Sequence, residues 1–266
     1  MTRALPRTNF HSSDLIRCLA RLDVVEGIEP EKAFAERLGQ WIHFADAITL
    51  SAVHGDMAPS SASPSPALQA MSKAGHAAGA AQAITGDVEK IQSILAGSIT
   101  RSYSAKPGKS GIRLPEPNLE LPLDVAAAFA PYRRFHESHQ RDMSLSIPPL
   151  RANVRQALAG MSPQHRQFAE LDKTLEKILA ERETRLLARV PALLGKRFAQ
   201  LFRNHQQRLD AIPQADDPAA WMRPGGWLAR FREELRTVLL AELDLRMQPT
   251  LGLLHMLQAP SAPAEA

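Results

Sequence analysis

Cysteine is nearly missing from this sequence: Cys18 stands alone among 266 residues. A single thiol excludes an intramolecular disulfide and a cysteine-built structural zinc site, and it fits a reducing compartment. Aromatic residues are scarce at 5%, within an apolar fraction of 44%, so Leu and Ala are expected to build most of the core. Both favour helices. No stretch approaches the roughly 18 apolar residues of a membrane span. The N-terminus MTRALPRTNFHSSDLIR also lacks the apolar centre of a secretory signal, and a cytoplasmic protein is expected. Strong charge of one sign is absent too, since 32 basic residues against 28 acidic ones leave only +4. Alternating apolar and polar residues, the mark of a half-buried strand, occur nowhere.

What is present is helical periodicity, punctuated by twenty prolines. Asp14 to Leu22 carries Leu15, Ile16, Leu19 and Leu22 at helical spacing behind Ser12 and Ser13 as cap candidates. A second run opens at Pro30 and places Phe34, Leu38, Trp41, Ile42, Ala45, Ile48 and Ala52 on one wide face. Residues 1–53 therefore read as a helical hairpin. Residues 54–122 read as a mostly flexible linker, Ser/Pro/Ala-rich and then Ala/Gly-rich, with one helix near 87–100 capped by Asp87.

From residue 123 to 258 the helical pattern is nearly continuous. It predicts a helix interrupted at Pro131, another ending near Gly160, and a long run opened by a Ser162 cap and Pro163. Pro191 is expected to kink or break that run. A last helix, about Gly226 to Met247, should bury Trp227, Leu228, Phe231, Leu235, Val238 and Leu239, and Pro249 should start a short apolar coda. Residues 259–266 read as a disordered tail. The fold class is all-α, an antiparallel helical bundle.

Four phrases, PYRRFHESHQRDM, PLRANVRQALA, LLARVPALLGKRF and WLARF...LLAELDLRMQPTLGLL, resemble a proteobacterial family of uncharacterised proteins, domain of unknown function 3348, over about residues 131–257. The resemblance brings no activity and no site residues. It implies a cytoplasmic accessory role at an envelope complex, because such proteins tend to be encoded beside proteins that look like flagellar-stator-type channels and peptidoglycan binders.

Motifs that carry chemistry are imitated and not completed. Gly108-Lys109-Ser110 ends like a phosphate-binding loop, but Tyr103 stands where the first glycine belongs and the Pro/Gly-rich flanks predict neither strand nor helix. His136 and His139 share a helix face with Asp142 one turn on, which permits two imidazoles and a carboxylate at a metal. Arg133, Arg134 and Arg141 interleave with them, so a solvated, cation-repelling face is the favoured reading. Cys18 with His11 or His43 would need a third, orienting group, and a half-buried packing cysteine is favoured. No catalytic, cofactor-binding or metal residues are assigned, no small-molecule ligand is expected, and the chain is not read as an enzyme.

Charge layout is the one non-random surface feature. Thr184 to Leu209 holds six basic residues and no acid. On an unbroken helix Arg182, Arg185, Arg189, Lys196 and Arg203 fall within about 60° and form a stripe about 30 Å long. Residues 210–266 hold eight acids and five bases, and Glu233, Glu234, Glu242 and Asp244 are expected to neutralise the stripe within the fold. The function expected is a non-enzymatic helical protein-protein interaction, with a protein partner or self-association. The alternative is a basic helix that binds nucleic acid or an anionic membrane surface.

Overall fold

The structure is a computed structural model that describes residues 13–22, 46–48, 50–51, 67–104, 111–117, 124–211 and 216–259. Most of the described residues are helical, and none of them forms a strand. In chain order the helices are α1 (Asp14–Arg21), α2 (Ala67–Ser102), α3 (Val125–Ala159), α4 (Pro163–Leu187), α5 (Val190–Ala211) and α6 (Trp227–Gln258), with a 3₁₀ turn at Pro218–Met222 before α6. No helix among them is long and apolar enough to cross a membrane. The second helix expected for the N-terminal hairpin, the 54–66 linker and the 259–266 tail lie largely outside the described residues.

Several starts and stops follow from local chemistry. The Asp124 carboxylate accepts the Ala126 amide at 3.0 Å and opens α3. Ser162 Oγ accepts the His165 amide at 3.2 Å ahead of α4, with Pro163 at its first position as expected. The long run breaks at Ala188 and Arg189, two residues ahead of Pro191, and that separates α4 from α5.

Three readings are corrected. Residues 73–86 belong to α2, a 36-residue helix, so Asp87 lies inside it and caps nothing. Pro131 does not interrupt α3, which also continues through Pro148 and Pro149, and Pro249 lies inside α6. The four rings are all exposed. On an exposed face a carbonyl freed by proline can bond to water instead, while Phe129, Tyr132, Phe135, Met247 and Thr250 bury the opposite face. The core, finally, takes leucine as expected but little alanine: leucine dominates it, while among the described residues only Ala169 and Ala241 of the alanines are buried, and aromatic rings do much of the remaining filling.

The chain divides into two compact units. The first gathers α1, the end of α2 from Leu95, α3 to Met143, the segment from Arg185 through α5, and α6 to Arg246. Phe129, Tyr132, Phe198, Phe231, Trp227, Phe202 and Trp221 form a continuous aromatic cluster there, with neighbouring centroids 4.9–6.2 Å apart. These contacts set directions. Phe129 meets Phe198 while Gln140 reaches Leu187, so α3 and α5 are antiparallel; Phe129 meets Phe231 while Gln140 reaches Glu242, so α3 and α6 are parallel. Gly195 allows α5 to approach α3 closely: a Cβ there would stand 2.9 Å from the Phe129 ring.

The second unit holds the earlier part of α2, α3 from Ser144, α4 to Thr184 and α6 from Met247. Arg151 and Arg155 of α3 clamp Asp172 and Glu176 of α4, with Arg151 Nε 3.0 Å from Asp172 and Arg155 Nη1 2.9 Å from it. At 13–27% exposure these side chains are partly shielded, so the four-charge network is worth more than isolated surface pairs.

Candidate functional site

Two polar regions stand out in the first unit, one sealed and one open. The sealed region lies between α3, α6 and the end of α4. His136 and Glu242 have 0% exposure and His139 has 2%. The solvated face expected for the two histidines is thus overturned. Phe129, Tyr132, Phe135, His136, His139 and Met143 together define the buried side of α3, and the flanking Arg133, Arg134 and Arg141 point outward. The 3.6-residue period that the arginines and histidines share was legible. Which of the two sets faces inward was decided by the aromatics beside the histidines.

Glu242 is well held. Arg246 donates to its Oε1 through Nε at 3.0 Å and Nη2 at 2.7 Å, and Gln140 Nε2 donates to it at 2.9 Å and to the Leu187 carbonyl at 3.0 Å. His136 Nε2 is 3.5 Å from Glu242 Oε2, beyond hydrogen-bond geometry, and neither ring nitrogen of His136 nor Nε2 of His139 has a hydrogen-bond partner among the described residues. Burial pushes the His136 imidazole down to about 3, helped by His139 and Arg246, and burial alone pushes His139 down to about 4. Both are neutral at physiological pH. His139 stands edge-on to Phe135 at 4.8 Å. Asp142 is only half-buried, and among the described residues no group of three His, Cys, Asp or Glu side chains is placed to hold a metal ion.

The open region is the outward side of α5. The unbroken stripe is corrected first: the helix stops at Leu187 and restarts at Val190, and Arg182 belongs to the other unit. Arg185, Arg189, Lys196 and Arg203 are exposed and Arg182 is half-buried. For Arg189, Lys196 and Arg203 the neutralisation expected from α6 is not found among the described residues. Glu234 instead binds buried Arg197 at 2.7 Å and Arg230 at 3.0 Å, Glu242 binds Arg246, and Glu233 lies 3.7 Å from Arg236. Burial opposes the Glu234 charge, but the hydrogen bonds from Arg197 and Arg230 outweigh it and hold the carboxyl below its usual range. Asp244 is raised by desolvation and by Asp14. Arg189, Lys196 and Arg203 pair with no carboxylate among the described residues.

Sequence reasoning missed two further groups. Arg197 was counted with the basic residues yet is 5% exposed and turned inward to Glu234. Asp216 accepts from Trp221 Nε1 at 2.9 Å and faces His205 Nε2 at 3.0 Å, fastening the 3₁₀ turn to α5. Neither had a local signal, because each depends on a partner from another element. Cys18 is half-buried on α1, and desolvation raises its thiol, so the reactive thiolate is disfavoured. His11, His43 and residues 108–110 lie outside the described residues.

The chain belongs to the family described as protein of unknown function (DUF3348), which it matches over residues 1–259, well beyond the 131–257 stretch where its phrases resemble that family. No curated protein and no solved structure matches it.

Proposed function

We propose that this protein is a non-enzymatic helical interaction protein, a bacterial cytoplasmic accessory factor that works by presenting a helix face to a protein partner. One observation carries the reading: the groups suited to chemistry are sealed while the cations of α5 are open. His136, His139 and Glu242 at 0–2% exposure meet no substrate unless helices part. Arg189, Lys196 and Arg203 stand exposed and unpaired among the described residues.

Helix energetics within α5 give those cations no stabilising role. Arg189 sits at the α5 N-terminus, where its carbonyl accepts the Leu193 amide at 3.1 Å. A cation there opposes the helix macrodipole by about 0.3–1 kcal/mol. No acid occurs on α5 before Asp210 to form compensating i, i+4 pairs. A face that costs a little stability and stays open suits a binding role. An envelope-associated complex is the setting suggested by the genes that neighbour such proteins.

The test places a photocrosslinking residue at exposed Ala192, between Arg189 and Lys196, in the native cell at endogenous expression. A discrete adduct with one protein is expected. Adducts with nucleic acid or lipid would replace this reading with the alternative of a nucleic-acid or anionic-membrane binder, and no adduct would remove α5 from the interaction.

A further inference from the structure

We infer that the partner segment docking on α5 is an acidic amphipathic α-helix whose carboxylates recur every seventh residue. The inference rests on the reading of α5 as the partner face. Arg189, Lys196 and Arg203 are spaced by seven residues. Seven residues fall about 20° short of two full helical turns, so such positions form a nearly straight row. The row repeats every 10.5 Å or so and is about 21 Å long.

Between the cations, at alternating steps of three and four, lie Ala192 and Ala199, followed by Gln206. Ala192 and Gln206 are exposed and Ala199 is half-buried. The outward face of α5 thus reads cation, alanine, cation, alanine, cation, glutamine in the 3–4 pattern by which two helices pack side by side. Alanine lets a second backbone approach closely, and the cations frame the seam. The opposite side of α5 is occupied by Val190, Leu194, Phe198, Leu201 and Phe202, so this second seam is spare.

Pitch selects the occupant. A second helix repeats its own residues at the same interval and can set a carboxylate against each cation in register. An extended strand cannot, because residues on one of its faces recur at about 6.7 Å. Phosphates of one DNA strand recur at about 3.4 Å along the axis and require no 10.5 Å row. The aromatics of α5, Phe198 and Phe202, are buried, so the face has no stacking platform for single-stranded nucleic acid.

The full chain at low salt is titrated with synthetic peptides of about three heptads. One carries Glu every seventh residue beside an alanine seam, and a second has the same composition with Glu scrambled around the helix. A duplex DNA and phosphatidylserine vesicles complete the set. The heptad peptide is expected to bind about tenfold tighter than the scrambled one. Lys196→Glu with Arg203→Glu should abolish that binding, and a peptide with Lys for Glu should restore it. Circular dichroism and Trp221/Trp227 fluorescence check that the variant is folded. Equal binding of both peptides, no effect of the reversal, or tighter binding of DNA or vesicles that the reversal removes would overturn the inference. A protein adduct at Ala192 without heptad preference sinks only this inference, whereas no adduct sinks the reading beneath it.

Discussion

At the scale of single residues, His136 and His139 make the first unit sensitive to acid. Their folded pKa values, about 3 and about 4, lie below the ordinary 6.5. Above that value both folded and unfolded chains hold neutral imidazoles and nothing is lost. As pH falls below it the unfolded chain takes up protons that the folded chain refuses, so stability declines until the folded values are reached. The loss approaches about 1.4 kcal/mol per pH unit for each histidine. Denaturant midpoints should be level from pH 7.5 to about 6.5 and fall steadily from there to pH 4.5, and His139→Phe should flatten the slope. A midpoint independent of pH over that range would show that the imidazoles reach water. Gly195 is limited by space. The Cβ of Gly195→Ala would meet the Phe129 ring at 2.9 Å, and a destabilisation of about 1–3 kcal/mol is expected by urea titration. A neutral result would mean that the aromatic cluster yields at no cost.

At the scale of elements, the prolines show how tertiary burial overrides local preference. Each of Pro131, Pro148, Pro149 and Pro249 removes a helical hydrogen bond, yet α3 and α6 pass through because the faces opposite the rings are packed. Those bonds are lost without local gain, so Pro249→Ala should raise stability by about 2–2.6 kcal/mol. That figure is the cost of an interior proline less the entropy it removes from the unfolded chain. An unchanged or lower melting temperature would assign the Pro249 ring a packing role. The cap at Ser162 and the break ahead of Pro191 were legible because each is set by residues within one turn. The full length of α2 was not, because Ala- and Gly-rich sequence is equally compatible with a linker until Val88, Leu95 and Ile99 find a core.

At the scale of the molecule, the boundary expected at residue 123 does not coincide with either compact unit. Leu95 and Ile99 are 5% and 1% exposed and, with Tyr103 against Phe135 at 5.9 Å, belong to the unit that contains α3 and α5. A fragment of residues 123–259 therefore uncovers part of that core. It should stay helical yet melt at lower temperature and less cooperatively than the full chain by circular dichroism and calorimetry. An unchanged, sharp melt would make residues 1–122 dispensable to the core.

The sequence by itself determined the helical class, the Ser162 cap, the leucine and aromatic faces of α5 and α6, and the row of cations on α5. All of these depend on periodicity and neighbours within a few positions. Only the tertiary structure decided which helix faces turn inward, because that depends on what other segments supply. It buried His136 and His139 with the aromatics beside them, turned Arg197 in to Glu234, and gave Glu234 to Arg197 and Arg230 and Glu242 to Arg246. Arg189, Lys196 and Arg203 were left facing solvent because the carboxylates that a neighbouring helix could have offered them, Glu234 and Glu242, are held by cations that lie nearer to them.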